Sequence, residues 1–94
     1  MAETMQLSSP IQAHGETLSA LELRKPTVKE LRAAGAPYRI SRGGEVTVDY
    51  EACARLIAAI CAIPPSSVDL MDTADFDEAA WKVVGFMRSS SEAA

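Results

Sequence analysis

Asp49-Tyr50-Glu51-Ala52-Cys53-Ala54-Arg55-Leu56-Ile57-Ala58-Ala59-Ile60-Cys61-Ala62-Ile63-Pro64-Pro65 is the stretch on which the fold turns. Cys53, Leu56, Ile57, Ile60 and Cys61 follow an i, i+3, i+4, i+7, i+8 stripe, with Glu51 and Arg55 on the other side. The segment is therefore an amphipathic helix whose apolar face must be buried. Asp49 offers an N-cap oxygen, and the Pro64-Pro65 pair ends the helix because neither proline can donate the next backbone hydrogen bond. Nothing on this helix resembles chemistry. It is scaffold, and function has to come from what the scaffold displays.

Towards the C-terminus, Ser66-Ser67-Val68-Asp69 has the form of another cap, followed by one turn through Leu70 and Met71. Asp72 or Thr73 caps a last helix from about Ala74 to Arg88, and residues 89–94 form a polar tail expected to be disordered. At about 100° per residue, Phe76, Ala79, Ala80, Val83 and Met87 share one face of that helix, with Val84 and Phe86 at its margins. This face is expected to pack on the central helix. Trp81 is displaced from it, towards the side carrying Asp77, Val84, Gly85 and Arg88. An amphipathic tryptophan outside the core stripe suits either an interface or a cover over a neighbouring element.

Towards the N-terminus, Gln6–Ala13 and Thr17–Arg24 read as two strands joined at His14-Gly15-Glu16. A three-residue connection sets Leu7 opposite Leu23 and Ser9 opposite Leu21, with Ile11 on the same face. A two-residue connection would separate Leu7 and Ile11 from Leu21 and Leu23, so the pattern predicts the longer turn. Pro10 cannot donate to a ladder and marks an edge strand. Thr27 and Glu30 form a capping box ahead of a short helix over Val28–Ala34, which Gly35 is placed to end in the left-handed conformation, with Pro37 just beyond. Ala36–Val48 is compatible with two short strands around Gly43-Gly44 or with a mobile loop. The expected fold is thus α+β: one small domain over residues 1–94, with a β-hairpin over 6–24, three to four short α-helices within 27–88, and the tail 89–94.

The chain has 94 residues, enough for one core, and is 48 % hydrophobic but only 5 % aromatic, which predicts an aliphatic, alanine-rich interior. A net charge of −4 and a pI near 4.8 argue against a phosphate backbone as partner, since such binding requires clustered positive charge. No run approaches the roughly 20 apolar residues of a membrane span, and no secretory signal opens the chain, so no membrane is expected and the location is cytoplasmic. Cys53 and Cys61 lie about 12 Å apart on one helix, too far to bridge, and are expected in the core. His14, the one histidine, has no metal-ligand spacing to either. Asp69, Asp72, Asp75, Asp77 and Glu78 flank or open helices, where carboxylates complement free N–H groups. Gly43-Gly44 lacks the surroundings of a phosphate loop, and His14 has no nucleophile or orienting carboxylate nearby in sequence. Ser66-Ser67-Val68-Asp69-Leu70 lacks the Asp-Ser-Leu order of a carrier protein's modified serine. No catalytic, cofactor-binding or metal-binding residue is assigned, and the chain is not expected to be an enzyme.

Taken in order, Leu7-x-x-Pro10-Ile11, Gly15, Leu21-x-Leu23-Arg24-x-Pro26-Thr27, Leu31-Arg32, the Leu56-Ile57 helix, Ile63-Pro64-Pro65 with Val68, and Asp75-Phe76 leading to Val84-x-Phe86 form a pattern across most of the chain. It resembles the small tail assembly chaperones of contractile-tailed phages, the Mu-like type. The resemblance implies a non-enzymatic protein of the host cytoplasm that engages the tape measure protein before the tail tube polymerises, and that is not kept in the mature virion. In such families a longer product of ribosomal frameshifting often exists, and this chain would be the short form. An acidic carrier suits that role, because a long apolar helical chain aggregates when bare.

Helix geometry then points to Asp77, Trp81, Val84 and Arg88, joined by Phe86, as partner-binding residues. Self-association stays open. Two other classes remain on the sequence alone: a minor tail or baseplate component of the virion, and a bacterial protein-interaction module unrelated to phage.

Overall fold

The computed structural model describes residues 3–92, with side chains as far as Arg88. In chain order it comprises β1 (Glu3–Ala13), β2 (Glu16–Leu23), α1 (Val28–Ala34), β3 (Tyr38–Ile40), β4 (Val46–Val48), α2 (Tyr50–Cys61), α3 (Pro65–Val68) and α4 (Thr73–Glu92). The fold is α+β, a β-hairpin followed by four helices, as the sequence predicts. The undecided stretch resolves into a second antiparallel ribbon, with Tyr38 opposite Val48 and Ile40 opposite Val46. Residues 89–92, expected in the tail, continue α4; residues 93 and 94 lie outside the described residues.

The hairpin corrects the expected register. Its connection is the two-residue His14-Gly15, both at positive φ (53° and 77°), the conformation of a tight turn matched to strand twist. Ile11 then faces Leu18, while Met5 faces Leu21 and Glu3 faces Leu23. The two registers are reconciled by an irregularity in which Leu7–Pro10 stand opposite Ser19 alone. A bulge was not among the alternatives a uniform ladder offers, yet it lets Met5, Ile11, Ala13, Leu21 and Leu23 all reach the core. Leu7, expected opposite Leu23, is only half-buried within the irregular segment. Pro10 sits in that segment as well, where its missing N–H removes no ladder bond.

Around α2 the local signals act largely as expected. Asp49 accepts from the Ala52 N–H at 3.2 Å, and Cys53, Leu56 and Ile57 are fully buried. The helix stops before the prolines, however, at Ala62, which is left-handed (φ 56°, ψ 44°). Ile63 N–H donates to the Ala58 carbonyl and Ala62 N–H to that of Ala59, the paired bonds of a Schellman ending. Pro64 contributes by pushing Ile63 out of the helical region. The Thr27/Glu30 capping box forms as predicted. Gly35 ends α1 with positive φ but extended ψ (95°, 172°), so it is not left-handed helical; its N–H still donates to Leu31. For α3, Pro64 takes the cap position without a side-chain bond, and the serines expected to cap are free for other roles.

The core is aliphatic: Leu23, Leu56, Ile57, Ala79, Ala80 and Val83 are wholly enclosed where β2, α2 and α4 meet. Polar tethers hold the hairpin to the helices. Asp75, 5 % exposed in the first turn of α4, accepts from Ser8 N–H (2.8 Å), Ser8 Oγ (3.0 Å) and Ser9 N–H (3.5 Å), so the donors the bulge frees from the ladder find a carboxylate. Ser67 Oγ donates to the Gln12 carbonyl at 2.6 Å, and His14 Nε2 donates to the Ala62 carbonyl at 3.0 Å. Lys82 pairs with Glu3.

Candidate partner-binding face

The opposite side of the molecule is built differently. Tyr50 opens α2 and remains 48 % exposed; Trp81 on α4 is 47 % exposed. These are two of five aromatic residues in the chain, so aromatic surface is concentrated here against an aliphatic interior. The Tyr50 ring lies 5.7 Å from that of Phe76, tilted by 43°, and its hydroxyl donates to Asp77 Oδ1 at 2.6 Å. That bond to a carboxylate raises the Tyr50 pKa, keeping the hydroxyl protonated as a donor. Tyr50, Asp72, Thr73, Ala74, Phe76 and Asp77 surround an open hollow of about 770 Å³.

Of the predicted partner-binding residues, the structure brings Asp77, Trp81 and Arg88 to one side of α4. Arg88 lies over the Tyr38 ring of β3, 5.9 Å from its centroid. Val84 is 2 % exposed and belongs to the core beneath this side. Phe86 is half-buried and lines a separate hollow with Glu3, Lys82 and Gly85. Tyr50 was not singled out in the sequence. Its signal is its position, three before Cys53 and seven before Ile57, which extends the buried stripe of α2 by one turn to the edge of the molecule.

Burial pushes both thiols up to about 11, so neither Cys53 nor Cys61 is a thiolate at neutral pH. Among the described residues no group of three His, Cys, Asp or Glu side chains could hold a metal, and no helix is long and apolar enough to cross a membrane.

Residues 4–88 match the family model described as phage tail assembly chaperone proteins, E, or 41 or 14. The chain belongs to this family. Neither a curated protein nor a solved structure gives a significant match. The matched span begins inside β1 and closes at Arg88, so it takes in the hairpin, the ribbon and the whole aromatic face of this tail assembly chaperone.

Proposed function

We propose that this chaperone binds the tape measure protein of its phage, covers apolar helical segments of it and keeps it soluble until the tail tube polymerises. It acts without catalysis, in the host cytoplasm, and leaves before the particle is complete. The observation that carries this proposal is the half-exposed aromatic face, Tyr50 and Trp81 with Asp77 between them, in a member of a tail assembly chaperone family. Rigid aromatic anchors beside a polar rim suit an interface that must be specific and yet reversible. On this view Asp77, Trp81 and Arg88 touch the partner, Val84 supports them from below, and Phe86 contributes at the margin.

Co-expression with the tape measure protein from the same phage, followed by affinity capture and a solubility assay, tests the proposal. A soluble complex that forms only when this chain is present is the expected result, with the chain missing from purified particles by mass spectrometry. An insoluble tape measure protein with no captured complex, alongside a folded chaperone, overturns it.

A further inference from the structure

We infer that the hollow between the first turns of α2 and α4 is the anchor subsite of this face, and that its occupant is an amphipathic helical segment whose apolar stripe is bordered by lysine or arginine. The inference rests on the proposed function for the nature of the encounter, and on the hollow itself for the partner's chemistry. Tyr50, Phe76 and Ala74 give the hollow apolar walls, and Asp72 and Asp77 place two carboxylates on its lining. Both acids accept from neutral donors, Asp77 from the Tyr50 hydroxyl and Asp72 from the Ala74 N–H at 3.1 Å. Among the described residues neither forms an ion pair. Ion pairs lie elsewhere, between Arg24 and Glu30 and between Lys82 and Glu3 or Glu78.

The start of α4 offsets the acids by roughly half a positive charge. Two carboxylates exceed that, so the rim stays negative, in keeping with a chain of net charge −4. A partner that brings positive charge complements this rim. The hollow is walled by helix starts and the turn before α4, and no strand residue lines it, so a partner strand has no edge to extend. Trp81 stands one turn beyond Asp77, about 6 Å along the axis of α4. A helix laid along α4 can therefore fill the hollow with one apolar side chain and meet Trp81 with another a turn later, its basic residues falling beside Asp72 and Asp77.

The test uses the intact chaperone and overlapping synthetic peptides covering the tape measure protein, with affinity read by fluorescence anisotropy at low and high salt. The peptides that bind should carry an apolar helical stripe edged with lysine or arginine, and their affinity should fall as salt rises. Tyr50→Ala should weaken them by more than about tenfold, as loss of an aromatic anchor does. The double variant Asp72→Asn and Asp77→Asn keeps an acceptor for the Tyr50 hydroxyl but removes the charge; it should weaken binding roughly three- to tenfold and flatten the salt dependence. Should Tyr50→Ala fail to fold by circular dichroism, this double variant decides alone.

Peptides that bind the double variant and wild type equally, or binders that are acidic, overturn the subsite while leaving the chaperone function standing. Failure of every peptide and of the full-length tape measure protein overturns both. A concentration-dependent dimer of the chaperone that Tyr50→Ala abolishes assigns the hollow to a second copy instead.

Discussion

The hairpin side and the aromatic side of this chaperone solve opposite problems. A two-stranded hairpin is marginal alone, and here it is tied along its length: Lys82 to Glu3 at the start of β1, Asp75 to Ser8 and Ser9 at the bulge, Ser67 to the Gln12 carbonyl, and His14 to the Ala62 carbonyl beside the turn. These bonds join residues from about 50 to 80 apart in sequence, so they order the hairpin only once the helices have packed. On the aromatic side, Tyr50 and Trp81 expose nearly half their surface, and the ribbon is closed at its base by the Asp49 N–H, which donates to the Pro37 carbonyl at 2.8 Å. Asp75, Ser67 and Lys82 on the first side hold the fold together, whereas Asp72 and Asp77 on the second bond only to neutral donors among the described residues.

If that contrast is right, the largest loss of stability comes from cutting a tether on the hairpin side. Asp75→Ala leaves the Ser8 N–H and hydroxyl without their acceptor in a part-buried setting and should cost about 2–3 kcal/mol. Asp75→Asn, which keeps an acceptor oxygen, should cost less. Urea unfolding measures both. A loss below about 0.5 kcal/mol for Asp75→Ala would mean that solvent replaces the carboxylate and the bulge holds itself.

Glu30 supplies the next effect, at the junction where the hairpin hands over to α1. The Arg24 guanidinium, bonded through both nitrogens at 2.9 and 2.8 Å, together with the Thr27 N–H, lowers the Glu30 pKa from 4.5 to about 2. A depressed folded-state pKa gives stability that is fully present above the ordinary value and disappears as pH falls towards 2. After allowance for solvent screening, the contribution is on the order of 1 kcal/mol. The stability gap between wild type and Glu30→Gln should therefore close between pH 5 and pH 2. A gap that is constant with pH would assign the effect of Glu30 to its neutral cap bonds.

What could be read from the sequence followed locality. The stripe of α2, its Asp49 cap, the Thr27/Glu30 box and the hairpin-then-helices order depend on residues within a few positions of one another, and all stand in the structure. The hairpin register was not local in this way: its irregular ladder comes with Asp75, more than 60 residues away, taking the donors that the ladder releases. In sequence Asp75 is one acid among five near the start of α4, with nothing to separate it from a helix cap. The aromatic face was half legible. Helical spacing placed Asp77, Trp81 and Arg88 together, but it could not show that Val84 lies under the surface or that Tyr50 closes on Phe76 and Asp77 across two helices.

A smaller, stabilising effect is expected at Ala62. Alanine holds a left-handed position there, which glycine adopts without the Cβ penalty. Ala62→Gly should add about 0.5–1 kcal/mol, less what the freer unfolded chain takes back. A loss instead of a gain on thermal unfolding would show that the alanine methyl packs against the hairpin tip, where His14 reaches the same residue's carbonyl.

The smallest effect on stability belongs to the residue with the largest expected effect on binding. Trp81 is 47 % exposed and flanked on its own helix by Asp77 and Gly85, so Trp81→Ala removes surface that water already reaches and opens no enclosed cavity. Its cost to unfolding should stay within about 0.5 kcal/mol, while capture of the tape measure protein falls by tenfold or more. The two measurements must be made on one preparation, since the contrast between the sides is a contrast between these numbers. A loss above about 2 kcal/mol would make Trp81 a core residue and extend the hairpin side's logic over the whole surface. An intact fold with unchanged capture would remove Trp81 from the interface and confine the partner to the hollow that Tyr50 and the first turn of α4 enclose.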